Sequence, residues 1–106
     1  MHPVVVTISH SLDKEEVHRR LRPALGQAAH SLSAFKVEHE QWTGDRMDFR
    51  VRTLGQSVTG NVIVGEREVV LELALPWLLA KLADAVQKTI ARKGQLLLEG
   101  SARWPG

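Results

Sequence analysis

The chain has 106 residues, of which 43% are hydrophobic and 25% charged, and it contains no cysteine. This length predicts one domain with a single core, and the lack of thiols excludes a disulfide scaffold, a thiolate metal site and a cysteine nucleophile. The net charge of +2, from 14 basic and 12 acidic residues spread along the chain, does not indicate a nucleic-acid partner. No secretory signal is visible and no apolar run reaches the ~18 residues of a transmembrane segment. We therefore expect a protein of the reducing cytoplasm.

A strand and a helix are predicted first. The residues from Val4 to His10 alternate between apolar and polar types, which predicts the strand. Ser11 is the expected N-cap of the helix, and Pro23 should kink or split that helix near Arg22. The apolar stripe of the helix consists of Val17, Leu21, Ala24, Leu25, Ala28 and Leu32.

From Val37 to Leu75 the hydrophobic period is two, which predicts four antiparallel strands. Turns are expected at Gly55-Gln56 and at Gly65 to Glu68, and Gly60 would let a helix approach the sheet closely. The predicted buried face comprises Met47, Phe49, Val51, Val58, Val62, Val64, Val69, Leu71 and Leu73. The predicted pairs are Thr53 with Val58, Val51 with Gly60, Phe49 with Val62 and Met47 with Val64, then Val64 with Val69, Val62 with Leu71, Gly60 with Leu73 and Val58 with Leu75.

Two registers are open for the first of these four strands. A two-residue turn at Gly44-Asp45 places Trp42 opposite Met47, but it also turns Glu38 and Glu40 toward the core. A three-residue loop places Glu38 across from Arg50 and turns Val37, His39 and Gln41 inward. The high cost of burying an unpaired carboxylate favours the second register, whereas Trp42 favours the first.

At Pro76 the period changes from two to about 3.6, which predicts that the sheet passes into a helix. Its apolar positions are Leu78, Leu79, Leu82, Ala83, Val86 and Ile90. Of these, Leu79, Leu82, Val86 and Ile90 form the stripe that should face the sheet. Gly94 is a candidate C-cap, and the segment Leu96 to Leu98 could continue the helix or form a short strand. Residues 101–106 are predicted to be a tail.

Trp77 is the least easily placed side chain of this helix. Around a helix, Leu78 lies about 100° and Trp77 about 200° from Leu79, so the three cannot all face one sheet. Either a second layer or a partner lies there, or an apolar patch is exposed. Core packing of Trp77, over the strand ends or under the last leucines, is the favoured outcome.

No pattern in the chain predicts a catalytic, cofactor-binding or metal site. The five histidines form no ligand spacing. His10 could meet His39 in space, but a structural role is favoured. Glu38 and Glu40 could form an acid/base pair, although a charged strand face is the favoured interpretation. Candidates for partner or ligand binding are Trp77, Leu78 and Trp42, and we expect no enzyme activity and no cofactor.

Several motifs resemble the polyhydroxyalkanoic acid system family, small bacterial proteins associated with polyhydroxyalkanoate granule genes. The similarity covers roughly residues 1–99. It is carried by the strand before Ser11–Glu16 and by the segments Ser11–Glu16, Trp42–Phe49, Leu75–Ala80 and Lys93–Glu99. The resemblance implies a polyhydroxyalkanoate accessory protein whose partner is the granule or a granule-associated protein, and it supplies no catalytic residues.

The order of elements predicts an α+β domain over residues 1–100, arranged β-α-β-β-β-β-α with both helices on one face of an antiparallel sheet, similar to the helix-grip fold. The expected function is non-catalytic binding to a partner protein, a granule surface or a second copy of the chain. The alternative is a binder or carrier of a small hydrophobic ligand, held in a cavity between the C-terminal helix and the sheet.

Overall fold

The computed structural model of the chain describes residues 2–31 and 35–99. The strands β1 (His2–Ser9), β2 (Phe35–Thr43), β3 (Arg46–Thr53), β4 (Gln56–Val64) and β5 (Glu68–Leu75) form one antiparallel sheet in the order β1-β5-β4-β3-β2. The helices are α1 (Lys14–Leu21), α2 (Ala24–Ser31), a 3₁₀ helix (Trp77–Leu82) and α3 (Ala83–Glu99). The predicted α+β class and strand arrangement are confirmed. The predicted tail and Leu32 lie outside the described residues. No helix in the described ranges has the length and hydropathy to cross a bilayer.

The first helical segment is split in two, as the proline predicts. α1 ends at Leu21, and α2 starts after Pro23, whose carbonyl accepts the first hydrogen bond, from Gln27 N at 2.9 Å. The prediction that Ser11 caps α1 is wrong, because the cap is Asp13, whose carboxylate accepts the Glu16 N–H at 2.9 Å. Residues 10–13 form a loop first, with the His10 ring accepting the Leu12 N–H, so the helix starts later than the sequence suggested.

The β3–β4 hairpin turns at Leu54-Gly55 and not at Gly55-Gln56. Both turn residues have positive φ, 53° and 75°, the geometry of tight two-residue hairpins. Thr53 therefore pairs with Gln56, and the four predicted β3–β4 pairs are wrong by two residues. Side chains alternate with a period of two, so this shift leaves every residue on its predicted face. The predicted face is buried throughout except for Leu71, which is partly buried.

The β4–β5 hairpin has the predicted register. Val64 pairs with Val69, Val62 with Leu71 and Gly60 with Leu73. The ladder ends one pair after Gly60 and Leu73, so the predicted pair of Val58 with Leu75 does not form. At Gly60 a Cβ would collide with the Glu72 backbone oxygen of β5 and would lie 2.7 Å from the Phe49 Cζ, so the sheet and the Phe49 ring occupy the space left by the missing side chain. The expectation that a helix approaches at Gly60 is therefore wrong.

A β-bulge in β2 combines the two registers that the sequence left open. Trp42 pairs with Met47 across the two-residue turn, and Glu40 pairs with Phe49. The register then shifts between Val37 and His39, so that Val37 pairs with Val51 on the inner face. Glu38, the extra residue of the bulge, joins the outer face.

Helix α3 packs mainly against β1, the edge strand of the sheet. The side-chain amides of Gln87 and Gln95 donate to the backbone carbonyls of Val5 and Ser9, at 3.1 and 3.3 Å. Gln87 and Gln95 are eight residues apart on the helix, and Val5 and Ser9 are four residues apart on the strand. Both separations span about 12–14 Å, so each amide reaches one carbonyl along the edge. These hydrogen bonds occupy acceptors that an unprotected edge would offer to another chain.

Gly94 lies in the middle of α3, so the prediction that it is a C-cap is wrong. A Cβ at Gly94 would collide with the Cδ1 atom of Ile8 on β1. The glycine therefore lets the helix approach the strand closely. The segment from Leu96 to Leu98 continues the helix, and Leu98 is only 1% exposed.

Candidate functional site

Three large apolar side chains are exposed on the 3₁₀ helix that follows β5. Trp77 is 77% exposed, Leu78 55% and Leu82 43%; we call these three residues the apolar patch. Leu79, in the same helix, is buried at 7% exposure. Leu79 therefore lies in the core and Trp77 outside it, so the favoured expectation that Trp77 packs in the core is wrong.

The local sequence explains why the patch points outward. Pro76, in extended conformation (φ −58°, ψ 152°), ends the ladder, and its carbonyl accepts the Leu79 N–H at 2.8 Å, which begins the 3₁₀ helix. The buried stripe continues from Leu79 through Ala83 and not through Leu82, which we expected to face the sheet. Periodicity alone did not identify Leu82 as part of the patch, because Leu82 and Ala83 both fit an apolar stripe.

Trp42, the other candidate from the sequence, is held in place by contacts with side chains of the same chain. Its ring lies 5.1 Å from the His18 ring, and the Arg22 guanidinium sits 4.8 Å from its centre. Its indole N–H donates to Glu40 Oε2 at 3.2 Å. Trp42 therefore fastens α1 to the β2–β3 hairpin, and the structure does not bring it together with Trp77.

Asp45, in the turn of that hairpin, completes the attachment of α1. Its carboxylate accepts hydrogen bonds from His18 Nε2 at 2.8 Å and from Lys14 Nζ at 3.0 Å. These contacts lower the pKa of Asp45, with the His18 hydrogen bond as the largest cause, and Asp45 in turn raises the pKa of Lys14. His18 Nδ1 is buried and has no hydrogen-bond partner in the part of the chain that the structure describes.

The other polar candidates are separated by the fold. His10 follows β1 at one edge of the sheet and His39 lies on β2 at the other, so they do not meet. The His10 ring contacts the Gly65 carbonyl and the Leu12 N–H, which is a structural role. Glu38 faces outward beside Arg50 and Arg52, while Glu40 lies on the inner face, so these carboxylates do not form an acid/base pair. Among the described residues, no three potential ligands are grouped to hold a metal ion.

A trough of about 420 Å³ lies on the outer face of the sheet, opposite the helices. Its outward-facing lining comes from β1, β3, β4 and β5: Pro3, Val5, Asp48, Thr59, Asn61, Glu72 and Ala74. The predicted ligand cavity between α3 and the sheet is a different place, and it stays a prediction.

Comparisons with known proteins identify a family. The family model described as polyhydroxyalkanoic acid system protein matches residues 4–98. No curated protein matches the chain. The crystal structure of TTHA0849 from Thermus thermophilus is similar over 92% of this chain and 92% of that one, with 18% sequence identity and a TM-score of 0.40.

Proposed function

Because the chain belongs to the polyhydroxyalkanoic acid system family, we propose that it is a non-catalytic accessory protein that binds the surface of the polyester granule. The binding element is the apolar patch of Trp77, Leu78 and Leu82. The observation that carries the proposal is the 77% exposure of Trp77 beside two exposed leucines. The proposed location is the bacterial cytoplasm, where the protein would meet such a granule.

The chemistry of the patch suits a polyester surface. A polyhydroxyalkanoate offers apolar chain segments together with ester carbonyls, which accept hydrogen bonds but carry no charge. Tryptophan combines a large apolar ring with one N–H donor, so it can bury its ring and still pair with a carbonyl. Lys81, exposed on the same helix, can keep its ammonium group in water beside the contact.

The expected strength of one such contact is modest. Burial of a large apolar side chain contributes roughly 1.5–3 kcal/mol, so the exposed parts of these three side chains provide about 4 kcal/mol before the costs of binding. A single patch should therefore bind reversibly, and a granule should hold the protein well only when many copies or additional contacts contribute.

The experiment is co-sedimentation of the purified protein with protein-free polyhydroxyalkanoate particles. The test variant is Trp77→Ala with Leu78→Ser, which removes most of the patch while leaving buried Leu79 in place. The matched control is Leu54→Ser, which removes a leucine that is 65% exposed in the β3–β4 turn. We expect wild type and the control to sediment with the particles and the double variant to stay in solution, with circular dichroism showing that all three are folded.

Two results would contradict the proposal. If the double variant sediments like wild type, the patch is not the binding element. If wild type binds native granules but not protein-free particles, the partner is a granule protein and not the polyester. A saturable 1:1 complex with a fluorescent fatty acid, unaffected by the double variant, would favour the small-ligand alternative instead.

A further inference from the structure

The outer face of the sheet has an uneven charge distribution. On β2 and β3 the outward side chains are Lys36, Glu38, Arg46, Asp48, Arg50 and Arg52, four basic and two acidic. On β5 the charged outward residues are Glu68 and Glu72, while the outward positions of β4 and β1 in the paired ladders carry no charge. One half of the face is therefore basic and the other half acidic, with neutral β4 between them.

The trough of about 420 Å³ lies over β4, β5 and β1, and Asp48 of β3 stands at its border. Its floor is formed by small or apolar residues, Ala74 and Pro3 among them, and its rim carries the Glu72 and Asp48 carboxylates and the Asn61 amide. Asp48 is already paired with Arg46 at 3.0 Å. Glu72 forms no ion pair among the described residues, and its charge adds to that of Asp48, the larger cause, in raising the pKa of Arg46. An apolar floor beside such a carboxylate suits an arginine side chain, whose stem is apolar and whose guanidinium is planar and charged.

We propose that this outer face binds a second copy of the chain, with Arg50 of each copy entering the trough of the other. Arg50 is the suitable donor because its side chain is 54% exposed and its contact with Glu38 is long, 3.4 Å. Glu38 also pairs with Arg52 at 3.1 Å, so it keeps a partner if Arg50 turns toward another molecule.

The strand register supports this pairing geometrically. Arg50, Thr59, Ala74 and Pro3 are successive cross-strand partners, so they form one row across β3, β4, β5 and β1. A twofold axis lying above β4 and parallel to it exchanges the positions above β3 and β5 and keeps each row in place. Arg50 of one copy then lies over Ala74 of the other, in the trough and next to Glu72. Asp48, which Arg46 neutralises, lies over Glu72 in the same arrangement, between the rows of Arg46 and Arg50. The contact is isologous, so it forms twice.

The size of the face sets the expected strength. Strands about 4.8 Å apart and eight residues long give a five-stranded face of roughly 650 Å². This is below the ~800 Å² per partner of a standard stable interface, so we expect a weak, reversible dimer that salt weakens further.

The test is sedimentation velocity over a range of protein concentrations, with three single variants and one mixture. Arg50→Glu and Glu72→Arg should each place like charges together and raise the dimer dissociation constant by about tenfold or more. An equimolar mixture of these two variants should recover dimer. In the mixed dimer the introduced glutamate meets the introduced arginine at one contact, and Arg50 meets Glu72 at the other. Lys36→Glu makes the same charge change on the same face, in a row that has no β5 partner, and leaves the Glu38 pairs with Arg50 and Arg52 in place, so it should have a much smaller effect.

Three results would overturn the inference. The first is a wild type that remains monomeric at every concentration. The second is an equal effect of Arg50→Glu and Lys36→Glu, which would indicate general charge effects. The third is a mixture that stays as monomeric as its components. Because no polyester is present, these outcomes are independent of granule binding.

Discussion

The close contact between α3 and β1 leads to a test of the fold by a double-mutant cycle. Gly94 lies where any Cβ would collide with the Cδ1 atom of Ile8, a buried side chain. Gly94→Ala should raise the free energy of unfolding by about 1 kcal/mol through helix propensity but lower it by about 1–3 kcal/mol through overpacking. The net expected change is a loss of up to about 2 kcal/mol in the free energy of unfolding.

Ile8→Val is the matched partner because it removes the single methyl group that the new Cβ would meet. Alone, Ile8→Val should lower the free energy of unfolding by about 0.5–1.5 kcal/mol, because one buried methyl group is lost. In the Gly94→Ala background the removed methyl group makes room for the alanine, so the double variant should be more stable than the sum of the single changes predicts. The expected coupling is about 1–2 kcal/mol, measured by urea unfolding of all four proteins.

An additive cycle would refute this reasoning. If the coupling is below about 0.5 kcal/mol, the usual limit for independent sites, Gly94 does not face Ile8. Helix α3 would then not lie on β1 as described.

Three further predictions concern electrostatics, the backbone and metals. The hydrogen bonds from His18 and Lys14 lower the pKa of Asp45, so its stabilisation should be present above about pH 4 and be lost as pH falls through the depressed folded value. Urea unfolding of Asp45→Asn should accordingly show a deficit relative to wild type at pH 7 that shrinks at pH 3, whereas a constant deficit would contradict the assignment. Leu54→Asn should raise the free energy of unfolding by about 0.5–1 kcal/mol, because Leu54 is exposed and has φ of 53°; an unchanged or lower value would contradict the turn geometry. Thermal unfolding should be unaffected by a chelator, and a clear fall in the melting temperature would reveal a metal site.

The predicted faces of the strands were more reliable than the predicted register. Alternation of apolar and polar residues fixes which side of a strand is buried, and it placed Phe49 and Val62 on the same inner face. The alternation does not distinguish registers that differ by two residues, and the β3–β4 turn decides between them. That turn has Leu54 in a left-handed conformation that leucine seldom adopts, so the sequence pointed to the wrong turn.

The bulge in β2 shows a second limit of sequence patterns. The residues on either side of Glu38 satisfy different registers, and each register explained one half of the strand. A single extra residue reconciles them, because it reverses the alternation and turns Glu38 toward Arg50 and Arg52.

For the candidate site, the sequence correctly indicated that Trp77 and Leu78 could not join the buried stripe with Leu79. It did not predict the contacts that hold Trp42 in place. Those contacts come from His18 and Arg22, about twenty residues earlier in the chain, and only the packing of α1 on the hairpin brings them together.

The proposed contact between Trp77 and the polyester can be measured at the tryptophan itself. The chain has three tryptophans, so labelling with 5-fluorotryptophan should give three ¹⁹F resonances, and the Trp77→Phe variant identifies the one from Trp77. On addition of protein-free polyhydroxyalkanoate particles, we expect the Trp77 resonance to shift or broaden selectively. The Trp42 resonance should change much less, because that ring is packed against His18 and Arg22. A Trp77 resonance that stays unchanged while the particles bind the protein would contradict the account.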